Sequence, residues 1–447
     1  MKAIKYICIL FLLVFSAGAT HAQQDKGPKR FSLAEAVDYA KKNNLTLKNS
    51  QLDQELAEKK VKEVRSIGLP QVNASSSLIH YTKVPAVRLQ NAGFFPGPAV
   101  LEFPQGIPYV FNNSITLSQL LFDGSFFLGL KAAYEYVDMA QLSVHRSEIE
   151  TENNVSKAYY LILLAQANHE MIGKNLANIE KTSSDLNATY KAGFSEKIDV
   201  DRIGLVLSNL RINLEKTEDN IAIGYQLLKM QMGLSISDSL VLTDDLSKLE
   251  AAASSLVNTD TRGNYDSRVE YRIISQVEKM NNFDRRRYEM SYLPSLNFFL
   301  THQENNYGIE FSDFKKYSYL PGTFFGFSAN IPLFDGLRKS ALIQQSRLTQ
   351  LKTRNDKQNL ERAIEVDRFT AKTNYLRARE QSDLQKKNME LAEEIRHRAE
   401  IRYKEGVGSG LELSTAETDL ATAQTNYLGA LYNYLVAQTD LRKAIGY

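Results

Sequence analysis

The sequence predicts an α plus transmembrane-β protein: a duplicated repeat of long coiled-coil helical hairpins interrupted by two β-strand pairs. Three observations carry this reading. The peptide Leu-Phe-Asp-Gly occurs twice, at 121–124 and 333–336, 212 positions apart. Each copy follows a stretch in which apolar and polar residues alternate. Proline is absent from Tyr109 to Leu293 and again from Leu333 to the end, over 185 and 115 residues. A proline inside a helix costs roughly 3 kcal/mol, so such gaps leave room for very long helices.

At the N-terminus, Lys2 and Lys5 precede an apolar run from Ile7 to Phe15, and small residues lead to Thr20-His21-Ala22. Residues 1–22 therefore read as a secretory signal peptide cleaved after Ala22. Cys8, the single cysteine, starts the apolar run rather than ending it, so the mature chain is expected to carry no disulfide and no acyl anchor. The formal net charge is +2 with 24% charged residues, which gives no reason to invoke nucleic acid. After residue 22 no apolar run approaches the ~18 residues of a spanning helix, so a membrane role has to use strands.

The first repeat is read as 23–234, with a strand pair over about 71–121 and a hairpin turn near 190–197. A polar, equatorial segment follows at 235–263. The second repeat is 264–447, with a strand pair over about 295–334 and a turn near 403–410. In the strands, Tyr109, Phe111, Ile115 and Leu117 alternate with Asn112, Ser114, Thr116 and Ser118. Phe325, Phe327, Ala329, Ile331 and Leu333 alternate with Gly326, Ser328 and Asn330. One apolar and one polar face fit a barrel wall, and each strand alone fits a soluble sheet with one wet face equally well.

The helices have seams at spacings of three and four. Leu413, Ala416, Leu420, Ala423, Tyr427, Ala430, Tyr434, Ala437, Leu441 and Ala444 form one, and Leu428, Leu431 and Leu435 form a stripe beside it. Moved back 213 positions, the first register falls on Val200, Ile203, Leu207, Leu210 and Leu214. A helix with two stripes touches neighbours on both sides, as in a tube wall; an ordinary helical bundle is the alternative.

Joints separate these elements. Leu69-Pro70 and Leu293-Pro294 end helical segments, because the residue before proline is pushed toward extended geometry. Asp123 and Asp335 stand where a strand stops and a helix of ~100 Å starts, and there a carboxylate accepts from free N–H groups and favours the positive end of the helix dipole. Gly124 and Gly336 are expected to relax the change of direction. Pro70, Asp123, Gly124, Pro294, Asp335 and Gly336 are thus structural joints rather than catalytic groups. Four strands cannot close a barrel, since about eight is the practical minimum, so copies of the chain must associate. Two copies give eight strands and three give twelve; periodicity does not choose.

With paired Leu-Pro joints, paired Leu-Phe-Asp-Gly joints and paired turns at Tyr190-Lys191-Ala192-Gly193 and Tyr403-Lys404-Glu405-Gly406, the chain resembles the TolC-type outer-membrane efflux protein family over essentially its whole mature length. The resemblance implies a homotrimer with a twelve-stranded barrel in the outer membrane and an α-helical barrel in the periplasm. It implies a passive exit duct of a tripartite efflux or type I secretion system, served by a periplasmic adaptor and an inner-membrane pump. By the same resemblance Gly193, Phe194, Gly406 and Val407 are adaptor-docking tips. Glu412, Asp199 and Tyr403 belong to the pore constriction, three Glu412 carboxylates converging near the axis. Thr415 replaces a second acid of that ring, and Gly408 stands where some members carry arginine.

Enzymatic chemistry finds no support in the residues. His80, His145, His169, His302 and His397 are scattered, and His169-Glu170 lacks the second histidine of a zinc helix. Gly406-Val407-Gly408-Ser409-Gly410 has no following Lys-Ser/Thr, so it is no phosphate loop. No cofactor or metal is expected. The rival readings are a periplasmic adaptor, which would carry one hairpin with soluble β-domains, and a structural coiled-coil envelope protein, which has no use for amphipathic strand pairs.

Overall fold

A computed structural model describes residues 28–90, 96, 98, 100–246, 249 and 264–446. The expected signal peptide with Cys8, most of 247–263 and Tyr447 lie outside the described residues. The chain divides into two compact units, and neither coincides with a sequence repeat: each draws pieces from both. One contains Asn154–Leu256, Gln381–Leu435 and the chain up to Asn44; the other contains Leu45–Asn153, Val257–Glu380 and Val436–Tyr447.

The second of these units holds a four-stranded antiparallel sheet of order β2-β5-β7-β8, with β2 Gln71–His80, β5 Tyr109–Phe122, β7 Ser295–Gly308 and β8 Leu320–Asn330. Registers such as Leu117 opposite Leu300 and Leu300 opposite Phe325 put Val72, Leu117, Leu300 and Phe325 on one face. The other face carries Ser75 and Ser114, hydroxyl to hydroxyl at 2.8 Å, and Thr116 and Thr301 at 3.0 Å. Period-two alternation thus gives one mainly apolar face, which also carries His302 and Glu304, and one hydroxyl-bearing face, which also carries Phe299 and Phe324. Two findings depart from the sequence reading. The alternation continues through Ile331 and Leu333, yet β8 ends at Asn330, because Asn330 pairs with Ser295, the first residue of β7, and the ladder runs out there. The proline-rich stretch between β2 and β5 contains a hairpin, β3 Ala86–Gln90 against β4 Val100–Pro104.

The joints of this unit differ in detail. Asp123 caps the helix α3, Gly124–Lys191: its Oδ1 accepts from the amides of Ser125 at 2.8 Å and Phe126 at 3.1 Å. Gly124 does not serve as a flexible turn. It is the first helical residue, and a Cβ there would lie 3.0 Å from Cβ of Met290, so its hydrogen permits close packing on the helix Val269–Met290, here α5. Asp335 stands three residues before the helix α6, Arg338–Lys404, and accepts from the Lys339 amide at 3.1 Å. Gly336 and Leu337 both turn at φ +65°. Two guanidiniums close the last turn of α7, Gly410–Ile445: Arg268 and Arg368 donate to the Ala444 carbonyl at 3.1 and 3.3 Å, and Arg268 also pairs with Asp367 at 2.7 Å.

In the other unit, α1 (Leu33–Asn43) starts at a capping box in which Ser32 and Glu35 satisfy each other's amides. A parallel pair, β1 Lys29–Phe31 with β6 Leu240–Leu242, flanks it. Tyr159, fully buried, shares its single hydroxyl proton between the Phe31 carbonyl at 3.1 Å and Asp244 at 3.0 Å, and burial pushes its phenol far above the usual value. The helix α4, Lys197–Met232, ends on Gly233 at φ +72°. Ile203, Leu210, Thr217, Gly224 and Leu228 are buried along it, and the Gly224 backbone closes on Ile162, whose Cγ1 would sit 2.9 Å from an added Cβ. Of the α7 seam residues, which are divided between the two units at Leu435, all but Ala423 are buried.

Candidate functional site

Both helical hairpins turn by the same device. Gly193 at φ +83° donates to the Tyr190 carbonyl at 2.9 Å, while Phe194 donates to Thr189 at 2.9 Å. Gly406 at φ +76° donates to Tyr403 at 3.1 Å, and Val407 to Arg402 at 3.0 Å. These bonds satisfy the last carbonyls of α3 and α6, and only glycine takes the left-handed conformation without strain. The residue after each glycine is thrown outward: Phe194 is 86% and Val407 67% exposed. Two large apolar side chains at the ends of two equivalent turns have no role in the packing of this chain.

Behind the second turn, Ser409 accepts from the Glu412 amide through Oγ at 3.1 Å and starts α7. The Glu412 carboxylate accepts from Nη1 of Arg402 at 2.9 Å, so it is ion-paired within its own hairpin. Asp199, in the first turn of α4, lies against Gly410: an added Cβ there would be 2.7 Å from Cγ of Asp199. Tyr403 packs against both the Leu186–Ile203 cluster and the Ala399–Leu413 cluster. Burial raises its phenol pKa; a hydrogen bond with Thr189 opposes the shift, and the charges of Asp199 and Asp185 add to it. Asp199, Tyr403 and Glu412 are therefore gathered at one place with both turns.

Sequence reasoning missed Arg402, Thr189 and Glu417. Arg402 precedes a tyrosine at the end of a helix full of basic residues, and its partner lies ten positions on across a turn, a spacing with no helical signature. Glu417 falls between seam residues on α7, yet it is buried, with the guanidinium of Arg396 3.9 Å away. Burial raises its carboxyl pKa; Arg396 opposes this and Glu400 adds to it. Among the described residues no three His, Cys, Asp or Glu side chains converge as a metal site, and no helix is long and apolar enough to cross a membrane.

The family model for outer membrane efflux protein matches residues 36–233 and 292–447, most of the chain and both repeats. The chain belongs to the outer membrane efflux protein family. No curated protein sequence matches it. Solved structures share the fold: CusC, whose structures describe folding and transmembrane channel formation, is 17% identical over 93% of this chain and 92% of its own, with a TM-score of 0.75. The Campylobacter jejuni CmeC outer membrane channel is 17% identical over 93% and 85%, at 0.72. The Vibrio cholerae outer membrane protein VceC is 15% identical over 93% and 96%, at 0.70. Membership in this efflux family makes the chain an outer-membrane efflux channel subunit, and the amphipathic sheet its share of a barrel wall.

Proposed function

We propose that three copies of this chain form the outer-membrane duct of a tripartite efflux or type I secretion system. Substrates enter from an inner-membrane pump through a periplasmic adaptor and leave passively. The single observation that carries this reading is the pair of equivalent turns presenting Phe194 and Val407 to solvent in a chain of the efflux family. A trimer offers each of these apolar residues three times, a ring suited to the helical hairpins of an adaptor. Gly193 and Gly406 set the direction in which they point. Behind the turns, Glu412, Asp199 and Tyr403 line the constriction, with Glu412 tethered by Arg402. Residues 1–22 serve as a cleaved signal peptide, and the mature chain is not acylated. Pro70, Asp123, Gly124, Pro294, Asp335 and Gly336 join the membrane strands to the helices.

Photo-crosslinking in cells from a probe at Val407, with captured proteins identified by mass spectrometry, tests this reading. An adaptor is the expected product. Capture of no envelope protein by an outer-membrane-located, conducting protein would remove the docking role of the turns.

A further inference from the structure

The two edges of the membrane sheet are β2 and β8, and the internal repeat fixes how they meet. A shift of 224 carries Leu69-Pro70 onto Leu293-Pro294, and a shift of 212 carries Phe122-Asp123-Gly124 onto Phe334-Asp335-Gly336. The same two shifts carry the β2–β5 ladder onto the β7–β8 ladder without adjustment. Gln71 opposite Ser118 becomes Ser295 opposite Asn330, and Leu78 opposite Phe111 becomes His302 opposite Thr323, as observed. Offsets read from the joints alone thus reproduce a register inside the sheet.

The remaining ladder of this four-stranded sheet, β5–β7, joins the last strand of one repeat to the first strand of the next. Its counterpart joins β8 to the first strand of another copy. From this we infer that β8 of one copy pairs antiparallel with β2 of a second copy in a single register: Ala329 opposite Ser76, Phe327 opposite Leu78 and Phe325 opposite His80. These follow from Leu117 opposite Leu300, Ile115 opposite His302 and Asn113 opposite Glu304. The register keeps Phe327 and Leu78 on the apolar face; a slip of one residue would turn that face to the wrong side.

The segment after β8 gives independent support. Residues 119–122 are strand in β5, where Phe122 stands opposite Leu296, but their counterparts 331–334 are irregular. Leu121 and Phe122 are 43% and 41% exposed, whereas Leu333 and Phe334 are 92% and 82% exposed. The inferred register sets Phe334 opposite Val72 of the second copy, so 331–334 extend β8 when the seam forms, Pro332 offering its carbonyl but no N–H to the ladder. A long apolar edge of this kind is otherwise a liability that proteins cover.

The inference rests on the reading that copies of this chain close the barrel, and the test separates the two. The mature chain carries no cysteine if cleavage follows Ala22. Three double variants of the full chain are made: Ala329→Cys with Ala74→Cys, Ser76→Cys or Leu78→Cys. Directly opposed Cβ atoms sit ~4.5–5.5 Å apart and diagonal ones ~7–8 Å, beyond easy disulfide reach. Mild oxidation in outer membranes is expected to give reducible bands at two and three times the monomer mass for the Ser76 pair only. Bands from the Ala74 or Leu78 pair instead would overturn the register while leaving barrel closure intact. No bands from any pair would overturn the β8–β2 seam. Conductance of the same samples then reports whether a closed pore exists at all, because a pore without this seam sinks the inference and not the channel.

Discussion

Nη1 of Arg402 lies 2.9 Å from the Glu412 carboxylate, bridging the last turn of α6 and the first turn of α7. Both side chains are about half exposed, so the pair contributes at most about 1 kcal/mol to stability. In the proposed trimeric constriction, its consequence for permeation would be larger. A constriction of three bare carboxylates prefers cations strongly; three carboxylates each held by a guanidinium prefer them weakly. Arg402→Ala is expected to leave thermal stability nearly unchanged and to move the reversal potential in a KCl gradient toward stronger cation preference. Glu412→Ala should move it the opposite way. At 1 M salt, where the screening length is ~3 Å, the difference between the variants should shrink. Equal reversal potentials for wild type and both variants at low salt would place this pair away from the ion path.

Two glycines with nearly the same backbone angle should differ in tolerance. Gly406 at φ +76° has open space where a Cβ would go, whereas at Gly233, φ +72°, a Cβ would lie 2.2 Å from the Asn43 carbonyl oxygen. Gly406→Ala therefore meets only the left-handed penalty, about 1–2 kcal/mol. Gly233→Ala adds displacement of the α1 end, and the total should reach roughly 3 kcal/mol or more. Thermal melts of the detergent-extracted variants check the order, and equal losses would contradict the packing at Asn43.

The strand–helix joints show how far the sequence could be read. A proline-free run with a seam at three and four spacing leaves few options besides a long helix, and α3 and α6 run for 68 and 67 residues. The hairpin turns were legible because Tyr-x-x-Gly recurs at matching positions. What Gly124 does was not legible: its helical backbone and its contact with Met290 depend on a partner helix more than 160 positions away. The β1–β6 pair was invisible for a different reason, since three-residue strands cannot show a period. Arg402 and Glu417 were missed because pairing across a turn and burial between stripes leave no local pattern.

The joints also carry a prediction. Asp123 accepts from two amides at the start of α3, whereas Asp335 accepts from one amide at 3.1 Å, ahead of a residue already at φ +65°. Asp123→Ala should cost about 1 kcal/mol, as lost helix caps do. Asp335→Ala should cost about half of that, the low end for a single hydrogen bond. Denaturant midpoints of the two variants in one detergent measure the difference, and a larger loss at Asp335 would mean that its carboxylate serves the second joint by other contacts.

Glu417 yields a pH dependence whose sign is fixed by its surroundings. Burial lifts its carboxyl above the ordinary range; the Arg396 charge opposes that, and the Glu400 carboxylate adds to it. Nε of Arg396 stands 3.9 Å away, beyond hydrogen-bond reach, while the Nη1 of the same guanidinium is committed to Glu400. The folded state therefore holds the proton more tightly than the unfolded chain. The stability linked to that proton is fully present below the unfolded carboxylate pKa, and it is lost as pH rises through the higher folded value. Glu417→Gln keeps the shape, removes the charge and leaves Arg396 paired with Glu400. The variant should melt higher than wild type at pH 7.5, by an amount on the order of 1 kcal/mol, the usual scale for a buried polar group without full partners. At pH 3.5 the two should melt together. A variant less stable than wild type at neutral pH would show instead that the Arg396–Glu417 attraction outweighs the cost of burying the carboxylate.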